Sequence, residues 1–227
     1  MFIGKYSSQL YQARLHALTV IGSEYKWSTF GEVAAFPIGD STTLGLFTAQ
    51  GYRQTLFNSH PCLVGVGPFQ SNPFVPLWNS GYSGIIASTV LGIISLWYST
   101  NPAPILLLEL GSNDVLTVPI ATDFANTMMQ IVDTVRAIRS DALVIIMQPI
   151  GFGDSADHTS PRWIYQPLIL QYRAALTAAM PHAGAMLIDA PVLTGTDYPS
   201  NDGTHPSQQG YDKMAASWGA ALATLGY

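Results

Sequence analysis

The sequence predicts an α/β protein: a three-layer α/β/α sandwich of flavodoxin-like type, built on a five-stranded parallel sheet. Three observations carry this expectation. From residue 33 onward, short apolar segments alternate with longer segments of helical periodicity. The short segments are continuous apolar runs, the pattern of strands covered on both faces. Strands that alternate with helices need right-handed crossovers, and these place helices on both sides of a parallel sheet.

Strands are expected at 33–38 ("VAAFPI"), 62–67 ("CLVGVG"), 104–110 ("PILLLEL"), 142–150 ("ALVIIMQPI") and 185–190 ("AMLIDA"). Helices are expected at about 84–99, 120–139, 162–180 and 207–224. In the second of these Phe124, Met128, Ile131, Val132 and Val135 recur at helical spacing, with Asp123 near the start and arginines near the end. Residues 1–32 do not fit the rhythm. They are expected to form an N-terminal extension ahead of a single domain over 33–227.

Bulk composition narrows the chemistry. The 227 residues are 48% apolar, enough for a full core, but only 10% are charged against a usual share of about a quarter. A net charge of −5 with nine scattered Lys and Arg argues against nucleic acid, which needs a basic patch. Cys62 is the sole cysteine, so an intramolecular disulfide and a cysteine-based zinc site are excluded. The longest apolar run, residues 84–98, falls short of the roughly 20 residues that span a bilayer and reads as a buried helix. The first residues lack the pattern of a signal peptide; export is expected only if a signal preceded this chain.

Chemistry concentrates where strands end. In an open parallel sheet, ligands collect at the carboxyl ends of the strands. The first strand ends in Gly39-Asp40-Ser41, which puts a serine in that crevice. A serine nucleophile needs a base, a group that orients the base, and donors for the oxyanion. Asp202 and His205 stand three residues apart in "NDGTHPSQQG", about one turn, so a carboxylate can take the imidazole Nδ1 proton and leave Nε2 to accept one from serine. The same stretch also reads as an ordinary helix start, with Pro206 at its head. Gly111-Ser112-Asn113-Asp114 ends the third strand, and the Asn113 amide there could donate to an oxyanion. Gly84, at the start of the helix expected over about 84–99, offers an unhindered backbone N–H.

A second Gly-Asp-Ser, at 153–155, has Asp157 and His158 beside it, too near in sequence to assume triad geometry. A metal hydrolase built on Asp202, His205 and His158 is a further alternative, disfavoured by five histidines without ligand spacing. No Gly-x-Ser-x-Gly elbow occurs, which argues against an α/β-hydrolase fold.

Gly39-Asp40-Ser41, Gly84 in "NSGYSG", Gly111-Ser112-Asn113-Asp114 and Asp202-Gly203-Thr204-His205 together resemble the four blocks of the SGNH (GDSL-type) hydrolases, over about residues 33–224. The resemblance implies Ser41 as nucleophile, His205 as general base and acid, and Asp202 as the orienting carboxylate. The implied oxyanion hole is the Ser41 N–H, the Gly84 N–H and the Asn113 amide, with Gly81 as the alternative glycine. It implies no metal and no cofactor. "GYRQTLF", "LVGVGPFQSNP" and "GYDKMAASW" resemble the carbohydrate esterases of family three, which remove acetyl groups from xylan. That branch commonly reads His-Glu-Gly-His-Ser-Gly where this chain has Asn79-Ser80-Gly81-Tyr82-Ser83-Gly84, so Tyr82 is expected to reshape the pocket. Asp40 and Tyr82 are candidate substrate contacts. Trp78, Phe69, Phe74, Phe152 and Tyr198 are further aromatics for sugar stacking, or else core. A short-chain carboxylic ester, above all an O-acetyl group on carbohydrate, is the expected substrate. A thioesterase or short-chain lipase of the same fold, or a non-catalytic module that kept the fold, are the alternatives.

Overall fold

β1 (Val33–Gly39) is the strand around which the sheet is arranged. One of its edges pairs in parallel with β5 (Ile105–Glu109), followed outward by β6 (Leu143–Met147) and β7 (Ala185–Ile188), also parallel. Its other edge is shared by two short parallel strands: β2 (Leu63–Gly65) beside Val33–Ala35, and β4 (Trp78–Gly81) beside Ile38 and Gly39. Outside β4, β3 (Phe69–Gln70) runs antiparallel to it. The helices are α1 (Ser41–Leu44), α2 (Tyr52–Ser59), α3 (Ala87–Thr100), α4 (Ala121–Ile138), α5 (Gln166–Ala178) and α6 (Gln208–Thr224). This computed structural model describes residues 32–46, 48, 51–70, 78–153, 161–199 and 202–227. The expected N-terminal extension lies almost wholly outside the described residues.

The five expected parallel strands and four expected helices are all present, so the three-layer α/β/α class stands. Successive residues of the central strands feed opposite faces of the sheet. Phe36, Ile38, Leu106, Leu108, Val144 and Ile146 pack with Val90, Ile94 and Tyr98 of α3, Phe124 to Val135 of α4, and Ile169, Tyr172 and Leu176 of α5. Ala35, Ile105, Leu107, Ile145 and Met147 pack on the other side with Tyr52, Leu56 and Phe57 of α2 and Tyr211, Met214, Trp218 and Leu222 of α6.

Two features depart from the sequence expectation. The second strand is broken: it leaves β1 after three residues and returns as β4. Gly67 sits at the break with φ +152, and a Cβ there would lie 2.5–2.8 Å from the Asn79 backbone, so only glycine lets the two segments pass this closely. The helix expected over 162–180 is instead a 3-10 turn, Trp163–Tyr165, running into α5, where Pro167 near the start costs no hydrogen bond. Among the described residues no helix is long and apolar enough to cross a membrane.

Candidate active site

Ser41 is the first helical residue after β1, and Asp40 caps that turn by accepting from the Thr42 N–H at 2.8 Å. Gly39 permits the sharp exit: a Cβ there would sit 2.3 Å from both the Glu109 carbonyl oxygen and Thr43 Oγ1. Because β5 pairs with β1, the loop after β5 lies beside this turn. Ser112 Oγ donates to Asp40 Oδ2 at 2.8 Å, and Asn113 Nδ2 lies 3.2 Å from the same oxygen. Asp40, expected as a substrate contact, is therefore turned inward and buried, bracketing the serine loop to the asparagine loop. Burial raises its pKa above the usual carboxylate value, against the pull of the bonds from Thr42 and Ser112.

The turn before α6 brings the imidazole to the serine. His205 Nε2 lies 2.9 Å from Ser41 Oγ, across 164 residues of sequence. Its Nδ1 lies 2.7 Å from Asp202 Oδ2, while Asp202 Oδ1 accepts the backbone N–H groups of Thr204 and His205 at 2.8 and 3.1 Å. Burial pushes the Asp202 carboxyl pKa up, but these bonds outweigh it and hold the group below the ordinary value, so it stays ionised. An ionised carboxylate only accepts, so Nδ1 carries the imidazole proton and Nε2 is left to accept from Ser41. Both side chains are largely shielded, 17% exposed for His205 and 15% for Asp202.

The Asn113 amide also reaches Ile85 O at 3.2 Å, next to Gly84. Gly84 has φ +79, and nothing lies within 4 Å of where its Cβ would be, so it faces open space. Among the described residues, neither its N–H nor that of Ser41 meets a backbone acceptor. Gly81, the alternative, is already committed: its N–H donates to Asn79 Oδ1 at 2.7 Å, and a Cβ would meet Leu44 N at 2.4 Å. Tyr82 is 57% exposed, while Phe152 and Tyr198 are buried, with the Tyr198 hydroxyl donating to Gly151 O at 2.5 Å. Phe74, and the second Gly-Asp-Ser from Asp154 through His158, lie outside the described residues; of Phe69 and Trp78 only the backbone is described. No group of three His, Cys, Asp or Glu suited to a metal is found among the described residues.

A scaffold of buried charged groups lies beneath these residues. Arg53, fully buried in α2, donates from Nε to Thr43 O at 2.8 Å and from Nη2 to Leu44 O at 3.0 Å, closing the carbonyl end of α1. Burial lowers its pKa to about 10, which leaves it charged at neutral pH. Asp114 Oδ1 accepts the Ala87 N–H at 2.8 Å and so fixes the start of α3; burial raises its pKa to about 6.

Glu109 at the end of β5 is the unexpected group. It is fully buried, and neither carboxyl oxygen has a partner among the described residues. Burial lifts its pKa well above the usual value, with Asp40 and Asp114 adding to the rise. Between the ordinary and the raised value the folded chain holds a proton that the unfolded chain has released, so stability falls as pH rises through that window. Glu109→Gln, neutral in both states, removes this residue's share of the slope, while the raised Asp40 and Asp114 keep theirs. The variant is expected to lose less melting temperature than the wild type as pH rises from ~4.5 to ~8, followed by circular dichroism. A variant that melts lower near neutrality would mean that the ionised form is held by a favourable partner.

Residues 38–213 match the GDSL-like lipase/acylhydrolase family. A search of curated proteins gave no match. Among solved structures, a family 3 carbohydrate esterase of Clostridium thermocellum superposes with a TM-score of 0.67 at 22% identity, covering 86% of this chain and 98% of that one. A family 3 carbohydrate esterase from Talaromyces cellulolyticus gives 0.66 at 18% identity, covering 85% and 97%. A mutant acetyl esterase solved with an acetate ion gives 0.67 at 20% identity, again covering 85% and 97%. The likeness to these structures is one of fold, whereas the family match covers a span, residues 38–213, that contains Asp40, Ser41, Asn113, Asp202 and His205. On that match, the chain belongs to the GDSL-like lipase/acylhydrolase family and is a carboxylic ester hydrolase.

Proposed function

We propose that the protein is a serine esterase that removes short acyl groups, acetyl above all, from hydroxyls of carbohydrates. The observation that carries the reading is the continuous hydrogen-bonded line Ser41 Oγ, His205 Nε2, His205 Nδ1, Asp202 Oδ2, at 2.9 and 2.7 Å. The carbohydrate and acetyl parts draw support from the fold shared with two family 3 carbohydrate esterases and an acetyl esterase.

In the mechanism, Ser41 Oγ attacks the ester carbonyl carbon while its proton passes to His205 Nε2, and the ionised Asp202 stabilises the imidazolium. The carbonyl oxygen becomes an oxyanion that receives the Ser41 N–H, the Gly84 N–H and the Asn113 amide. Collapse breaks the bond to the alcohol oxygen, which takes the proton from Nε2 as it leaves. Water then loses a proton to His205 and adds to the acyl-serine carbonyl. The second collapse frees the carboxylic acid and returns the proton to Ser41. Asp40 and Ser112 do not touch substrate in this scheme; they keep the nucleophile and the asparagine in register.

The reading is tested by the acyl-length profile. Hydrolysis of p-nitrophenyl acetate is expected to exceed that of the octanoate by about tenfold or more in kcat/KM, a discrimination within the range that differences in methylene count produce. Acetylated xylo-oligosaccharides are expected to release acetate. A profile rising toward octanoate, or cleavage confined to thioesters, would keep the mechanism and replace the substrate.

A further inference from the structure

We propose that Arg162 is a positioning residue for ester hydrolysis: it sets the orientation of the Asn113 amide and strengthens it as an oxyanion donor. The inference rests on the serine-esterase reading above. Arg162 lies on the chain between β6 and α5, and its Nη1 donates to Asn113 Oδ1 at 3.0 Å and to Ser112 O at 3.3 Å. The contact spans 49 residues of sequence and joins two separate crossover connections.

The two ends of an asparagine amide are nearly the same shape, so its neighbours must decide which end meets the substrate. A guanidinium has donors only. With Arg162 on one side, the oxygen must face it, and a flipped amide would set N–H against N–H. The opposite end faces two acceptors, Asp40 Oδ2 and Ile85 O, both at 3.2 Å. Those distances are at the long limit of an N–H···O bond, so either is readily exchanged for an anionic oxygen beside Ser41. A cation bonded to Oδ1 also draws electron density through the amide and makes its N–H groups better donors. Arg162 therefore acts on the developing oxyanion through Asn113.

The test is a double-mutant cycle on p-nitrophenyl acetate with wild type, Arg162→Met, Asn113→Ala and the double variant, and with Ser41→Ala beside them. Loss of an entire oxyanion donor typically costs about 10²–10³ in kcat, so Arg162→Met, which loosens one, is expected to lose about 10–100-fold with KM changed less than about threefold. In the Asn113→Ala background the same change is expected to cost less than about twofold, because the group it acts through is gone. Arg162→Lys, which keeps the charge and a donor, is expected to recover about half of the loss on a logarithmic scale. Melting curves accompany each variant, and Arg162→Gln replaces the methionine variant if that one does not fold. If Ser41→Ala is inactive and the Arg162 and Asn113 losses multiply independently, or if KM carries the loss, the positioning role is overturned. If Ser41→Ala keeps its activity, the serine-esterase reading itself fails.

Discussion

Ser41→Ala is expected to lower kcat for p-nitrophenyl acetate by about 10⁴-fold or more while leaving the melting temperature within about 2 °C of wild type. The large effect follows from what the oxygen alone does. Ser41 Oγ is the hydroxyl set against His205 Nε2, on an imidazole whose Nδ1 is held by a carboxylate. Without Oγ, neither the covalent intermediate nor its two lower barriers exist. The small effect on stability follows from what surrounds it. Asp40 caps the turn through the Thr42 N–H, and Arg53 holds the Thr43 and Leu44 carbonyls; none of these bonds uses the serine side chain. Alanine is also the best helix former for the position. The double variant Ser41→Ala/His205→Ala should be no slower than Ser41→Ala, since the two groups act as one unit. Activity that survives Ser41→Ala would send the search to Ser155 of the second Gly-Asp-Ser.

Much of the layout was legible because its causes are local. The runs that became β5 and β6 are apolar at nearly every position, and a strand buried on both faces needs that. The 3.6-residue recurrence from Phe124 to Val135 matches the residues that α4 buries. β4 reads "WNSG" and carries no such signal; it is a strand because β1 offers a free edge at Ile38 and Gly39 once β2 has left. The helix α2 is eight residues with an arginine and no strong periodicity. It forms because Tyr52 lies against Trp218 of α6, ring centroids 5.9 Å apart, and because Arg53 finds carbonyls to bind inside the protein. At the site, Ser41, Asp202 and His205 could be singled out from chemistry, since a hydroxyl after a strand and a carboxylate three residues from an imidazole are a scarce combination, and the structure brings the three into one hydrogen-bonded line. Ser112, Arg162 and Glu109 could not be. Their meaning lies in partners 72 and 49 residues away for the first two, and for Glu109 in burial at the end of a strand whose other residues are apolar.

Asp202→Asn is expected to lower kcat by about 10³–10⁴-fold with little change in KM or melting temperature, and the reason is the imidazole tautomer. Asp202 does two jobs with two oxygens. Oδ1 accepts the Thr204 and His205 backbone N–H groups and shapes the turn; Oδ2 accepts from His205 Nδ1. Asparagine can keep the first job, because its own oxygen accepts equally well from those N–H groups. Its NH₂ then faces Nδ1, and a donor there is compatible only with an imidazole whose proton has moved to Nε2. That tautomer points N–H at Ser41 Oγ, so the base can no longer take the serine proton, and the imidazolium formed during attack has lost its counter-charge. Asp202→Ala, by contrast, removes both jobs and should lower stability as well as activity. The pair separates the roles: asparagine inactive but as stable as wild type assigns Asp202 to the proton path. An asparagine variant within about tenfold of wild type would make Asp202 a turn-capping residue and leave His205 to be oriented by the fold alone.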